Sequence, residues 1–209
     1  MTSKIECANR ALSKLGEQRI TDISSDIKSA RAVNAAFNIV RDRELRAHGW
    51  SFAMKRAQLA ASVDAPLYGF AYSYPMPADL LRIWELGEWY WSGPDQTDYR
   101  NGSSAPYSVE GRNILTSETR SATVGVPSPL NIRYIAQVDD TNQWDACFVE
   151  AFACKLAIEC CSELTQSATK KSDLWGEYKV AVGEAQRVNA IELPPEYVAD
   201  DSWLMSRLR

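Results

Sequence analysis

The sequence predicts an α+β protein: a four-helix bundle-like domain, an inserted antiparallel β domain and an extended C-terminal tail. Three observations predict it. Apolar residues recur at helical spacing near both ends of the chain, period-two alternation takes over in the middle, and Pro194-Pro195 closes the last helix ahead of an apolar segment. The implied domains are residues 1–50 with 145–190 for the helices, 51–144 for the β insert and 191–209 for the tail.

The first helix is expected over Ser3–Leu15. Ser3 stands three residues before Glu6, the capping-box spacing, and Gly16 fits a C-terminal stop. Ile5, Ala8, Leu12 and Leu15 supply the apolar stripe. The second helix is expected to begin after Ser24 or Ser25 and run to His48, before Gly49. Its face is Ala30, Val33, Phe37 and Val40, widened by Ala36 and Ile39. Arg31, Arg41, Asp42 and Arg43 fall mostly on the other side. His48 is expected in the last turn, facing the negative end of the helix.

Between Trp50 and Trp144 the helical pattern fades, and Gly, Pro, Ser and Asn punctuate short apolar runs. Leu80–Leu86 reads as a strand covered on both faces. Tyr107, Val109, Glu110-Gly111-Arg112 and Ile114 read as a hairpin with a glycine turn. Leu130, Ile132, Tyr134, Ala136 and Val138 alternate with polar residues, the pattern of a half-buried strand. Residues 92–106 read as a surface loop. Twelve of the 21 aromatic residues lie between Trp50 and Tyr107, a concentration suited to filling a small β core. Trp89-Tyr90-Trp91 cannot all be buried, because successive strand residues face opposite sides. Trp89 and Trp91 are therefore candidate interface residues.

The third helix is expected over Asp145–Thr165. Phe148, Phe152 and Leu156 stack at intervals of one turn, and so little charge interrupts them that the helix should be central. The fourth is expected over Thr169–Ala190, with Leu174, Trp175, Tyr178, Ala181, Val182, Ala185 and Val188 buried. The segment after it carries Tyr197, Trp203, Leu204, Met205, Arg207, Leu208 and Arg209, candidate contacts to a neighbouring molecule. Extended, residues 191–209 would reach about 60 Å at roughly 3.3 Å per residue. Folding back on the chain's own helices is the competing expectation.

The composition, 45% hydrophobic and 24% charged, is that of a globular protein. A net charge of −4 and a pI near 5.2 disfavour tight binding to nucleic-acid phosphates. No apolar run approaches the ~20 residues that span a bilayer. Residues 1–6 lack the apolar core of a signal peptide, so synthesis in the cytoplasm is expected. Cys147, Cys154, Cys160 and Cys161 fall in the third helix and read as buried thiols. The single histidine, His48, offers no metal-ligand spacing, so neither metal nor cofactor is expected. No nucleophile elbow, zinc-protease motif, phosphate loop or dinucleotide fingerprint is present. Glu85, Glu88, Asp95, Asp98 and Glu110 could in principle form a glycosidase pair, but no spacing singles one out. The expectation is a structural protein rather than an enzyme.

Three segments carry a family resemblance. Ala11-Leu12-Ser13-Lys14-Leu15-Gly16-Glu17 followed by Ile20, Leu45-Arg46-Ala47-His48-Gly49-Trp50-Ser51-Phe52, and Tyr72-Ser73-Tyr74-Pro75-Met76-Pro77-Ala78-Asp79-Leu80-Leu81-Arg82 resemble segments of the head-to-tail adaptor proteins of short-tailed bacteriophages, the tail tubular protein A group. The order of helices, insert, helices and tail is similar over nearly the whole chain. The resemblance implies a structural virion protein of the tail or neck, assembled in the host cytoplasm as a homo-oligomeric ring, a dodecamer. The ring would bind the portal protein and the tail nozzle protein, with DNA passing through its lumen without specific binding. A virion-associated glycan hydrolase and a head-completion connector of a long-tailed phage are the alternatives.

Overall fold

A computed structural model of the chain describes residues 3–86, 107–117 and 129–192. The architecture is α+β, with helices α1 (Lys4–Leu15), α2 (Lys28–Ala47), α3 (Ala146–Leu164) and α4 (Ala168–Glu192). The strands among the described residues are β1 (Met54–Leu59), β2 (Tyr72–Pro75), β3 (Leu80–Leu86), β4 (Tyr107–Glu110), β5 (Asn113–Thr116) and β6 (Leu130–Ala136). The chain divides into two units. Met1–Met54 and Ile135–Leu193 form one, and Lys55–Tyr134 forms the body of the other.

In the helical unit, α1 begins and ends on the residues that announce it. Ser3 Oγ accepts from the Glu6 amide at 3.1 Å, and Gly16 adopts a left-handed φ of 81° that lets its amide reach back to the last turn. α2 starts later than Ser24 or Ser25. Asp22 accepts from the Ser24 amide and hydroxyl, and its carbonyl accepts from Ser25 Oγ. That local turn holds the serines outside the helix. α3 is capped by Asp145, whose carboxylate accepts from the amides of Cys147 and Phe148 at 2.8 and 3.2 Å.

α3 is the central helix. It packs against α1, α2 and α4, and its buried residues span its circumference from Phe148 to Cys161. Phe37, Trp144, Phe148 and Phe152 meet edge-to-face at centroid distances of 4.9 to 5.2 Å. Trp50 joins Phe148 at 5.0 Å. Each fully buried Phe contributes roughly 1.5–3 kcal/mol by removal from water, so this aromatic cluster is a principal anchor of the unit.

Three expectations about faces are corrected. Ile39 does not widen the buried face of α2 but stands 71% exposed. Arg41 is not on the outer side: it is buried, with Asp42 and Asp139 as ion-pair partners and Asn38 as a further acceptor. On α4 only Leu174 and Ala185 are buried, whereas Trp175 and Val188 are exposed. α4 also extends past Ala190 to Glu192. An apolar helix stripe wider than the groove that receives it leaves its margins uncovered, although α4 packs along α3.

Among the described residues the β unit contains two three-stranded sheets, ordered β1-β6-β3 and β2-β5-β4. In the second, β5 pairs antiparallel with both neighbours, Tyr74 opposite Ile114 on one side and Val109 opposite Ile114 on the other. Gly111 makes the expected hairpin turn at a φ of 58°. β6 alternates through Leu130, Ile132 and Tyr134 and ends at Ala136 rather than Val138. β3 is not covered on both faces: only Leu86 is buried, and Trp84 is exposed beneath the Arg82 guanidinium at 5.4 Å. Arg82 and Trp84 share the open face, since alternate residues of a strand point the same way.

Candidate functional site

The Tyr72–Arg82 segment carries the chain from one sheet to the other within the β unit. Tyr72–Pro75 is β2, and Leu80 begins β3. Pro75 ends β2 opposite Asn113, a strand end where its missing N–H is tolerated. The Met76 amide donates to the Arg112 carbonyl at 2.9 Å. The Arg112 guanidinium donates to the Pro77 carbonyl at 2.7 Å and reaches the Ala78 carbonyl. The hairpin arginine thus holds the Pro-x-Pro turn by its backbone.

Asp79 fixes the other end of this joint. Lys55 Nζ of β1 pairs with Asp79 Oδ2 at 2.8 Å, and Tyr134 Oη of β6 donates to Asp79 Oδ1 at 3.1 Å. Burial alone would raise the Asp79 carboxyl, but the bonds from Lys55 and Tyr134 and the lysine charge outweigh it and hold it below the usual carboxylate range. Burial and the same contact push the Tyr134 hydroxyl up to about 12. The acid of the segment is an anchor that ties the start of β3 to β1 and β6. Tyr74 is fully buried.

The other two segments that carry the resemblance are held in the helical unit. Asn9 clasps Ile20 at both backbone groups: its amide donates to the Ile20 carbonyl at 2.9 Å, and its carbonyl accepts from the Ile20 amide at 2.7 Å. The His48–Ser51 turn is gripped from α4. Asn189 donates to the Gly49 carbonyl at 2.8 Å and accepts from the Ser51 amide at 2.7 Å. Gln186 lies 2.9 Å from His48 Nδ1, and Ser51 Oγ donates to Glu192 at 3.0 Å. Gln186, Asn189 and Glu192 stand at intervals of three and share one side of α4. His48 is the residue just past α2 rather than part of its last turn, set edge-on to the Trp50 ring at 5.5 Å. Trp50 is buried and donates its indole N–H to the Glu44 carbonyl at 3.0 Å.

A buried polar centre joins α2, α3 and α4. Tyr178 Oη donates to Glu44 Oε2 at 2.7 Å. Lys155, 2% exposed, holds Nζ 4.0 Å from the Trp175 ring centroid and 4.9 Å from that of Tyr178. Burial lowers the Lys155 pKa, reinforced by the charge of Arg43 and opposed by Glu44 and Glu159. Burial also pushes the Tyr178 hydroxyl up, aided by its bond to Glu44. Sequence reasoning did not single out Lys155, because nothing local tells a charge on a helix whether the rings of another helix cover it.

The cysteines Cys7, Cys154, Cys160 and Cys161 are buried free thiols and Cys147 is half-buried. Burial raises the Cys7 thiol to about 11 and the Cys160 thiol to about 12, which makes them poor nucleophiles. A depression of about 590 Å³ beside α1 is lined by Arg10, Lys14, Arg19 and Glu150. Glu150 pairs with Lys14 at 2.6 Å and Arg10 at 3.5 Å, and Lys14 also pairs with Glu177. Among the described residues no three His, Cys, Asp or Glu side chains converge as a metal site, and no helix is long and apolar enough to cross a membrane.

Trp89, Trp91, Tyr197, Trp203, Leu204, Met205, Arg207, Leu208 and Arg209 lie outside the described residues, as do the expected loop 92–106 and the tail from Leu193 onward. Asn9, Glu44, Lys55, Lys155, Gln186 and Asn189 are site residues that sequence reasoning did not name, and Tyr134 entered it only as a strand residue. The Gln186–Asn189–Glu192 spacing was a usable signal, whereas nothing in the sequence links Tyr134 to an acid so far before it. No family model matches the chain, and no curated protein matches it.

Proposed function

We propose that this chain is a structural virion protein, a head-to-tail adaptor of a short-tailed phage, and not an enzyme. In this reading its helical domain is bundle-like, and copies form a dodecameric ring between the portal protein and the tail nozzle protein. DNA passes through the lumen, and the segment 191–209 clamps a neighbour. The observation that carries the reading is that all three segments resembling the adaptor family serve as joints. Asn9 ties down Ile20, Asn189 ties down Gly49 and Ser51, and Lys55 and Tyr134 tie down Asp79. Polar residues spent on backbone geometry fit a part whose job is shape. The net charge of −4 suits a channel that DNA traverses without sticking.

Mixing the purified chain with portal rings tests the reading. A stoichiometric ring seated on the portal, seen by negative-stain imaging, is the expected result. A chain that never binds portal assemblies, as monomer or oligomer, would sink it.

A further inference from the structure

Among the described residues α4 is the longest helix and the least buried. Of its 25 residues only Leu174 and Ala185 are buried, with Tyr178, Ala181 and Val182 half-buried. By contrast α3, against which it packs, is buried around most of its girth from Phe148 to Cys161. Gly176 and Gly183 also lower the helicity of α4 relative to alanine. Neither glycine has another atom within 4 Å of where a Cβ would stand, so close packing does not require them.

Polar ties along its length do much of the holding instead. Lys171 donates to Ser162 Oγ at 2.9 Å, Glu177 pairs with Lys14 at 3.3 Å, and Tyr178 donates to Glu44. Farther on, Gln186 meets His48, Asn189 holds Gly49 and Ser51, and Glu192 accepts from Ser51. Water can replace each of these bonds, so the net contribution of each is small. Two buried charges lie against the helix: the Lys155 ammonium at the Trp175 and Tyr178 rings, and the Glu44 carboxylate at the Tyr178 hydroxyl. Detaching α4 returns both to water, and the recovered hydration offsets part of the lost contact. The link to α3 is the short turn Thr165–Ser167. Within it Gln166 holds a left-handed φ of 51°, costlier for a residue with a side chain than for glycine.

We infer that α4 is a detachable strap, which leaves α3 about the Gln166 turn as one unit while α1, α2 and α3 stay folded. A helix in water owes most of its stability to the face it packs, so the detached strap also loses its helical hydrogen bonds. Its opening bares the Lys155 flank of α3 and releases the Gly49–Ser51 turn that Asn189 holds. The inference is independent of the adaptor reading, since neither ring nor portal enters it.

Hydrogen exchange of the full chain in graded, sub-denaturing urea tests the strap. The amides of residues 172–192 should share a single opening constant. They should open roughly a hundredfold or more as often as the slowest amides of α3 between Phe152 and Cys161. Their dependence on urea should be shallower, because less surface is exposed. Val33→Ala is the control, since Val33 is buried on α2, which packs against α3. Loss of its methyl groups should speed the slow α3 amides about tenfold and leave the α4 group unchanged. Amides of α4 as slow as those of α3 would overturn the strap. So would α4 amides that quicken in step with α3 in Val33→Ala, or that exchange one by one with no shared opening constant. Each of these outcomes leaves the adaptor reading where it stands.

Discussion

Tyr178 of α4 donates its hydroxyl to the buried carboxylate of Glu44 on α2 at 2.7 Å, across the helix α3 that separates the two in sequence. Beside them Lys155 points its ammonium at the Trp175 and Tyr178 rings. Polar chemistry thus ties together the three helices α2, α3 and α4.

Tyr178→Phe should destabilise the helical unit by about 1–3 kcal/mol, because it strands a buried carboxylate without its donor. The sign with pH follows from the raised tyrosine. The contribution is full below the ordinary tyrosine value of 10.0 and is lost as pH rises above it. Denaturant titrations of wild type and variant should converge in alkali; a constant gap across that range would disprove the assignment.

Lys155 and Trp175 should be energetically coupled. A double-mutant cycle with Lys155→Met and Trp175→Leu, both of which keep apolar bulk, should give a coupling of about 0.5–2 kcal/mol, the range for an ammonium over an indole. Strict additivity of the two single effects would show that the ring is only a lid.

Asp79→Asn should cost the β unit about 1 kcal/mol, kept small by a side chain 35% open to solvent. The folded carboxyl lies below its usual value of 3.8, so its stabilisation is present above that pH and lost as pH falls through the folded value. The Tyr134 partner predicts a second loss between pH 10.0 and about 12. In Asp79→Asn the acid component should vanish and the alkaline one should shrink to the part that burial of Tyr134 supplies. A variant whose acid limb overlays that of wild type would refute the anchor.

Asn189→Ala should release the turn at Gly49–Ser51 and cost about 1–3 kcal/mol, since two backbone groups lose their partner. Hydrogen exchange at the Ser51 amide should speed up while that of α3 changes little. Unchanged Ser51 protection would mean that the turn holds without α4.

The helix ends were legible because their signals are local. Ser3, Gly16 and Asp145 each satisfy backbone groups within a few residues, so sequence spacing and structure coincide. The Gly111 turn was legible for the same reason. Faces were less so. Ile39 and Val188 fit an apolar stripe on a helical wheel, yet both are exposed, because a wheel shows which residues share a side and not how wide a groove receives it. Ser24 and Ser25 misled in the opposite direction: their hydroxyl chemistry was spent on Asp22 and not on capping α2.

The sequence by itself determined the α+β class, the order of the four helices, the strands at β3, β4, β5 and β6, and the burial of α3 around most of its girth, since these follow from periodicity and from groups bonded within one turn; it did not show β1 or β2. Only the tertiary structure decided that Arg41 and Lys155 are buried, that Asp79 meets Lys55 and Tyr134, and that Asn189 holds the turn after α2. Those pairings join residues far apart in the chain, and a charged side chain enters the interior only where a distant partner offsets its lost hydration, a condition that no local pattern encodes.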